Sequence, residues 1–569
     1  MSNPRYLLVP DTTLTHDYRD FPLLDFLPCA PAKTLPKPVY SYLKGKAPPA
    51  LPGGEAAVAP YSIRKVEASL LTEVPGRDVA VPHEDHLERF ITPGTEVIAV
   101  STMDPLGLGP LTMSYVVLFG SPDYTAWVRR EFEELMGRIN RAKARVGSKA
   151  KLLVGGPGVW EFTIMPEELD RLGIDYAFQG EADDIACGLF QEVADGSPRG
   201  DERTGIFNGF QTFDSGFHKS WVEHGRFLTR ARFSRQAPSL DEIPEIRRPA
   251  MKSMVEVMRG CGIGCDFCEV TLRPLRYYPY DKVKREVEVN ARIGGFDHAW
   301  LHTDEVFAYE HGRNFEPNYD ALTGLFDAVM SVKGVARTNP THGRISIPAA
   351  YPDLIRKLSQ VARTGPSNWI GVQTGIETGS ERLAKLHMPN KTLPLRIGAD
   401  GSWPEIVWQG VYALNKYYWR PAFTVQVGQA DETPEDNWET VALINWLSSS
   451  RLDDGKPFEF TVTPMQNVPL GRIKDRDFGP GMLDQSQMAV YYASYRHLAK
   501  MAERDATRDS SGNILSRFGT AALMAVGGRA MLLAISVLAR KKGLDLEKVA
   551  RHGVEGLRAR PPTVAAYSR

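Results

Sequence analysis

"MVEVMRGCGIGCDFCEVT", residues 254 to 271, runs a short apolar segment straight into three of the chain's five cysteines, Cys261, Cys265 and Cys268. The segment "MVEVMRG" (254–260) is bounded by glycine and reads as a buried strand. The cysteines that follow are spaced C-x3-C-x2-C on a glycine-rich loop. Three thiolates so placed suit three corners of a cubane iron-sulfur cluster, and with no fourth cysteine nearby one iron stays open to a substrate or cofactor. Structural zinc is the alternative, but it wants four ligands, normally as paired knuckles, and the remaining Cys29 and Cys187 are solitary.

Downstream of that loop, strand-like runs alternate with helical periodicity. The strand-like runs are "HAWLHTDE" (298–305), "GRISIPAA" (343–350), "NWIGVQTGIE" (368–377), "AFTVQVGQ" (422–429) and "FEFTVTPM" (458–465). The segments between them, such as "DKVKREVEVNARI" (281–293) and "YPDLIRKLSQVA" (351–362), space their apolar residues as helices do. Counting 254–260 as the first strand, this predicts six strand-helix units, three quarters of an eight-unit barrel, with chemistry in the loops at the strand C-terminal ends.

Upstream, "RYLLVP" (5–10), "RDVAVP" (77–82), "TEVIAVS" (95–101), "KLLVGG" (151–156) and "DYAFQG" (175–180) read as buried strands. Helical patterns over 123–147 and 182–195 alternate with them, which predicts a parallel, doubly wound sheet. Residues 11–76, rich in Pro and without sustained periodicity, read as an insertion or wrapping arm, and 201–250 as a polar connector.

Lys plus Arg (68) nearly balances Asp plus Glu (69), which excludes the basic footprint of a dedicated nucleic-acid binder. The N-terminal apolar run is only "YLLVP", too short for an export signal, so a reducing, cytoplasmic setting is expected, where clustered cysteines mean metal or redox work. Beyond about 475 the pattern is helical. Residues 519–539 carry one charge, Arg529. That Arg and the paired glycines 527 and 528 disfavour a spanning helix, leaving a buried core helix or an interfacial one in peripheral contact with a membrane.

The motif "CGIGCDFC", with Phe267 in its aromatic place, resembles that of the radical S-adenosylmethionine (SAM) enzymes. The resemblance implies that Cys261, Cys265 and Cys268 bind a 4Fe-4S cluster and that its open iron chelates the amino and carboxylate groups of SAM. An electron from a reductant such as ferredoxin or flavodoxin would then yield a 5'-deoxyadenosyl radical. Phe267 would pack near adenine. "HTDEVF" (302–307) stands where the family has its Gly-Gly-Glu-like motif, so Asp304 and Glu305 are candidates for the SAM amine, although the two glycines are lacking. "GIETGS" (375–380) resembles the family's "GIESGS", which makes Glu377 a candidate for ribose hydroxyls or the SAM ammonium. The turn "VQVGQADETPED" (425–436) resembles "GLPGET" and would turn Gln426 and Gly428 toward the cofactor.

The sheet in front of this region resembles the cobalamin-binding class of the same enzymes. There Ser101 or Thr102 would bond to a corrin periphery, and Gly155, Gly156 and Gly180 would let the backbone approach it. No D-x-H-x-x-G ligand motif follows any strand, so histidine ligation of cobalt is not expected; "HEDH" (83–86) has neither spacing nor glycine. The implied layout is a doubly wound, cobalamin-binding-like Rossmann domain (1–200), a connector (201–250), a partial (β/α)6 TIM barrel (251–472) and a helical C-terminal region (473–569). The expected activity is functionalisation of an unactivated carbon: methyl transfer if cobalamin binds, and carbon-carbon coupling or ring formation if it does not. The substrate is expected to be a small molecule or a lipid chain. A non-catalytic iron-sulfur or cobalamin-binding protein would explain the cysteines but not the placements of "DE" and "GIETGS".

Overall fold

The structure, a computed structural model, describes residues 3–20, 22–120, 125–196, 198, 206–213, 219–223, 225–230, 237–468, 470, 482–508 and 514–554. Its first sheet is built on β1 (Tyr6–Pro10), β2 (Val79–Ala80), β3 (Val97–Ser101), β4 (Lys151–Gly155) and β5 (Tyr176–Gln179). Next come β6 (Phe207–Asn208), a separate antiparallel ribbon of β7 (Phe210–Phe213) and β8 (Lys219–Val222), and β9 (Phe227–Thr229). The seven-stranded order is β2-β1-β3-β4-β5-β9-β6, parallel throughout except for β6 against β9.

The apolar runs are continuous because both faces are covered. Leu7, Val9, Ile98, Val100, Leu152 and Val154 pack on Phe132, Leu135 and Ile139 of the Trp127–Val146 helix. Tyr6, Leu8, Val97, Leu153 and Phe178 pack on the other side against Ile63 and Leu70 of the Tyr61–Leu70 helix and Leu189 and Phe190 of the Ala186–Ala194 helix.

The second set of strands comprises β10 (Met254–Glu256), a short antiparallel pair β11 (Met258–Arg259) and β12 (Arg276–Tyr277), β13 (His298–His302), β14 (Arg337–Pro340), β15 (Ile370–Glu377), β16 (Trp419–Val427) and β17 (Thr461–Gln466). Two three-stranded parallel sheets, β10-β13-β14 and β15-β16-β17, form an arc joined by a parallel bridge between His342 and Gln373. Their outer faces pack on helices such as Trp403–Lys416 and Pro434–Ser449 in one continuous core.

Three expectations change. The third strand of this set is not "GRISIPAA" (343–350) but "RTNP", one segment upstream; Ser346–Ala350 is helical and packs on the Trp403–Lys416 helix. β14 pairs in parallel with β13 from Arg337 to Pro340, and Thr338 Oγ1 also donates to Ala299 O at 3.0 Å, so this segment takes the place beside β13. The 201–250 connector supplies β6 to β9, and β9 extends the first sheet beside β5. Within 11–76, Tyr61–Leu70 is a helix buried along nearly its whole length, since it lies between the sheet and the arc: Tyr61 Oη donates to Glu286 at 2.6 Å and Lys65 Nζ to Glu286 at 2.9 Å.

At the C-terminal end, Gln485–Arg508 and Ile514–Lys541 pack against each other, and Arg529 pairs with Glu503 at 2.7 Å. Ile535 and Ala539 are buried while Val526, Leu533 and Val537 are exposed, so this helix is not buried all round. Among the described residues no helix is long and apolar enough to cross a membrane.

Candidate functional site

The cysteine loop, residues 260 to 275, is closed at its base by the β11-β12 pair at the carboxyl end of β10. Gly260 has φ +74, and a Cβ there would lie 2.7 Å from Arg273 O, so only glycine lets the two ends of the loop meet. The loop backbone is braced from within and from outside. Gly260 N donates to Asp304 Oδ2 at 2.7 Å, Gly264 N to Thr271 Oγ1 at 2.7 Å, and Asp266 N to His387 O at 3.1 Å. Asn390 Nδ2 donates to Ile263 O at 2.9 Å.

Cys261 and Cys265 are buried and Cys268 is half-buried. Burial pushes the Cys261 thiol up to about 11 and Cys265 to about 12, and raises Cys268; Cys268 adds to the rise at Cys261, and Cys268 and Cys261 add to it at Cys265. Lys391 opposes this at Cys265 and Cys268. Among the described residues no group of three His, Cys, Asp or Glu is placed to hold a single metal ion. A cubane takes one thiolate on each of three irons, and three thiols on one short loop match that donor set, whereas structural zinc wants four ligands.

Two buried carboxylate-cation pairs flank the loop. Glu305, after β13, accepts from Phe307 N at 3.2 Å and Arg344 N at 2.8 Å, and its carboxylate lies 3.8 Å from the Arg344 guanidinium. Burial outweighs the pairing on both sides, raising Glu305 and lowering Arg344. Arg344 stacks on Phe315 at 4.8 Å, and its Nε and Nη1 find no hydrogen-bond partner among the described residues. Glu377, in the left-handed region at φ +60 beside a bulge in β15, accepts from Lys391 Nζ at 2.8 Å and from Thr424 Oγ1 at 3.4 Å. Burial alone would lower Lys391, but Glu377 and then Cys265 raise it. The pair lies over Gly375, where a Cβ would collide with Glu377 Oε1 and stand 2.7 Å from Lys391 Nζ.

Several expected residues therefore have structural duties. Glu305 is spent on the turn after β13, and Asp304, half-buried, braces Gly260. Gln426 keeps a buried Oε1 with no hydrogen-bond partner among the described residues. Gly428, at φ +79, donates its N–H to Glu432 at 2.8 Å. Phe267 is half-buried against the main core.

At the first sheet's carboxyl edge, Thr102 is fully buried and donates to Asp11 Oδ2 at 2.9 Å, so Ser101, half-buried, is the accessible hydroxyl of the two. A Cβ on Gly156 would strike Thr102 O, and one on Gly180 would lie 3.2 Å from Arg230 Cβ; those glycines serve loop packing at positions that remain exposed. Gly155 has nothing nearer than Phe178 O at 3.8 Å, and Met103 is 56% exposed. Ser101, Gly155, Gly156 and Gly180 put no large side chain of their own at this edge, which suits a flat ligand approached by backbone.

No family model and no curated protein matches the chain. Among solved structures it is similar to TsrM from Kitasatospora setae, a radical S-adenosylmethionine methyltransferase solved with cobalamin and a 4Fe-4S cluster bound. The identity is 14%, the match covers 82% of this chain and 76% of that one, and the TM-score is 0.46. A second TsrM structure, with tryptophan substrate and the SAM analogue aza-SAM bound, is similar at 14% identity over 82% of this chain and 73% of that one, with a TM-score of 0.46.

Sequence reasoning missed the cations. Arg344 and Lys391 stand in no motif, and nothing in the spacing pairs Arg344 with Glu305 or Lys391 with Glu377. It also gave no role to Glu181 and Asp183, which reach Arg259, at 2.8 and 2.6 Å, just before the first cysteine. Arg259 also pairs with Glu256 at 2.8 Å, and Arg276 joins through Glu181 at 2.5 Å. Adjacent acidic residues in "GEAD" were the available signal.

Proposed function

We propose that the chain is a radical SAM enzyme that functionalises an unactivated carbon, with cobalamin-dependent methyl transfer as the leading reaction. One observation carries the reading: two buried cysteines and a half-buried third on a short loop whose backbone is braced by Asp304, His387 and Asn390 at the carboxyl end of parallel strands. We read the arc of β10 and β13 to β17 as a partial (β/α)6 barrel behind a Rossmann-type sheet. Cys261, Cys265 and Cys268 would hold the 4Fe-4S cluster. Bound there, the cluster supplies the electron that cleaves SAM to a 5'-deoxyadenosyl radical.

The chain's own part is binding and orientation. Asp304, Glu377, Gln426 and Gly428 lie at or just beyond the ends of β13, β15 and β16, as a cofactor on the open iron would require, with Gln426 offering an acceptor that lacks a partner among the described residues. Ser101 with Gly155, Gly156 and Gly180 would hold a corrin at the first sheet's edge. With a corrin seated there methyl transfer is the reaction we favour, and without one carbon-carbon coupling or ring formation.

The substrate we infer is polar. Along β15 to β17 the buried apolar residues alternate with half-buried Gln373, Thr424, Gln426 and Thr463. A lipid chain laid on those groups would strand their hydrogen-bonding atoms, at about 1–3 kcal/mol each.

Anaerobically reconstituted protein should bind about four irons per chain and convert SAM to 5'-deoxyadenosine under reduction. Cys265→Ala protein should do neither. Intact protein that binds iron yet leaves SAM unaltered would sink the enzyme reading, and cobalt analysis of protein supplied with cobalamin tests the methyl-transfer branch.

A further inference from the structure

Behind the cysteine loop lies "HMPNK", residues 387 to 391, the end of the Glu381–His387 helix and the turn after it. Three of its residues grip the loop or its surroundings. His387 accepts Asp266 N–H on its carbonyl at 3.1 Å, and its ring bridges Asp266 Oδ2 through Nδ1 and Ala430 O through Nε2, both at 2.8 Å. Both ring nitrogens face acceptors, so both carry protons and the bond to Asp266 is charge-assisted. Asn390 Nδ2 donates to Ile263 O at 2.9 Å. Lys391 turns inward, its side chain only 12% exposed, onto Glu377 at 2.8 Å. Its own carbonyl is fixed by Ser346 Oγ at 3.0 Å.

We propose that His387–Lys391 is the clamp that seats the cysteine loop and that Lys391, balanced by Glu377, is the positioning charge that sets the reduction potential of the cluster. This rests on the reading that the three cysteines hold a 4Fe-4S cluster. A core ligated by three thiolates is an anion that gains one more negative charge on reduction. In a site sheltered from water, a cation beside it favours the reduced form and a carboxylate disfavours it. Lys391 directly follows Asn390, which bonds Ile263 O between the first two cysteines, and its buried ammonium and the Glu377 carboxylate carry opposite charges, so the two residues pull the potential in opposite directions. A merely structural pair would shift it the same way whichever member was lost.

The test is an electron-paramagnetic-resonance redox titration of the reconstituted full-length chain without SAM. At the potential where half of the wild-type clusters are reduced, Lys391→Met should show a reduced-to-oxidised ratio about tenfold lower, equal to about 59 mV for one electron. Lys391→Arg should stay near wild type, and Glu377→Gln should move the ratio upward. Shifts of the same sign in Lys391→Met and Glu377→Gln, or no shift in Glu377→Gln, would overturn the electrostatic role. Should Lys391→Met fail to fold, Glu377→Gln and Lys391→Arg decide alone. Asn390→Leu removes a clamp bond without removing charge: iron per chain should fall while the remaining clusters keep the wild-type potential, and unchanged iron content overturns the clamp. Wild-type protein that takes up no cluster defeats the underlying reading instead.

Discussion

At the ends of β13 and β15, Glu305 and Glu377 each lie against a buried cation, and the intervening loop is tied down by Asp304, His387 and Asn390. At the ends of β3, β4 and β5 the contrast is plain: glycine, Ser101 and an exposed Met103 face outward, and the charged groups nearby, Asp11 and Glu181, are committed to Thr102 and to Arg259 and Arg276. A site for a small, highly charged inorganic group needs fixed charges close at hand, because such charges act strongly only where water is excluded. A site for a broad, flat ligand needs room and backbone. The two edges look built for different guests, and substitutions should affect them unequally.

The largest effect is expected from Gly375→Val. Its side chain would occupy the space of the Lys391–Glu377 pair, so iron binding should be lost altogether, as read by iron quantitation on anaerobically reconstituted protein. Next comes Arg259→Leu, which leaves Glu256, Glu181 and Asp183 without their shared cation; loss of about 3–5 kcal/mol in denaturant unfolding is expected.

The same network has a pH signature. Burial alone would raise Glu256, but Arg259 overcomes it and holds the carboxyl down at about 2, below its unfolded value of 4.5. Its stabilisation is therefore fully present above about pH 4.5 and lost as pH falls toward 2, so Glu256→Gln should flatten the stability profile in that window. An unchanged slope would show that the pair contributes nothing across the junction.

Effects at the open edge should be smaller. Thr102→Val removes one hydrogen bond to Asp11, which keeps its bonds from Thr13, and about 1 kcal/mol in thermal or chemical unfolding is expected. Gly155→Ala meets nothing nearer than 3.8 Å and should change stability by about 0.5 kcal/mol or less, with full iron content. If Gly155→Ala instead cost as much iron as Gly375→Val, the contrast between the edges would collapse.

Strands with a continuous or alternating apolar pattern were legible: β1 to β5, β10, β13 and β15 fall inside the runs that pattern marks, and β16 and β17 overlap theirs. β14 was not, because "RTNP" has no pattern of its own and is strand only through its pairing with β13. The C-terminal helix was found, but which of its faces is covered was not, since Ile535 and Leu533 are equally apolar in sequence and only the packing of Gln485–Arg508 separates buried from exposed.

Sequence alone determined most of the strand-helix alternation, the three cysteines on a loop after a strand, and the carboxylates at later strand ends, because periodicity and local spacing are properties of neighbours along the chain. What each carboxylate does was decided only in three dimensions. Glu305 meets Arg344 from 39 residues away and Glu377 meets Lys391 across a turn, and the sign of the charge left over beside the cysteines depends on those meetings. Spacing can bring a thiol to a loop, but electrostatics falls off with distance in space, and no run of residues states which distant cation will be folded against it.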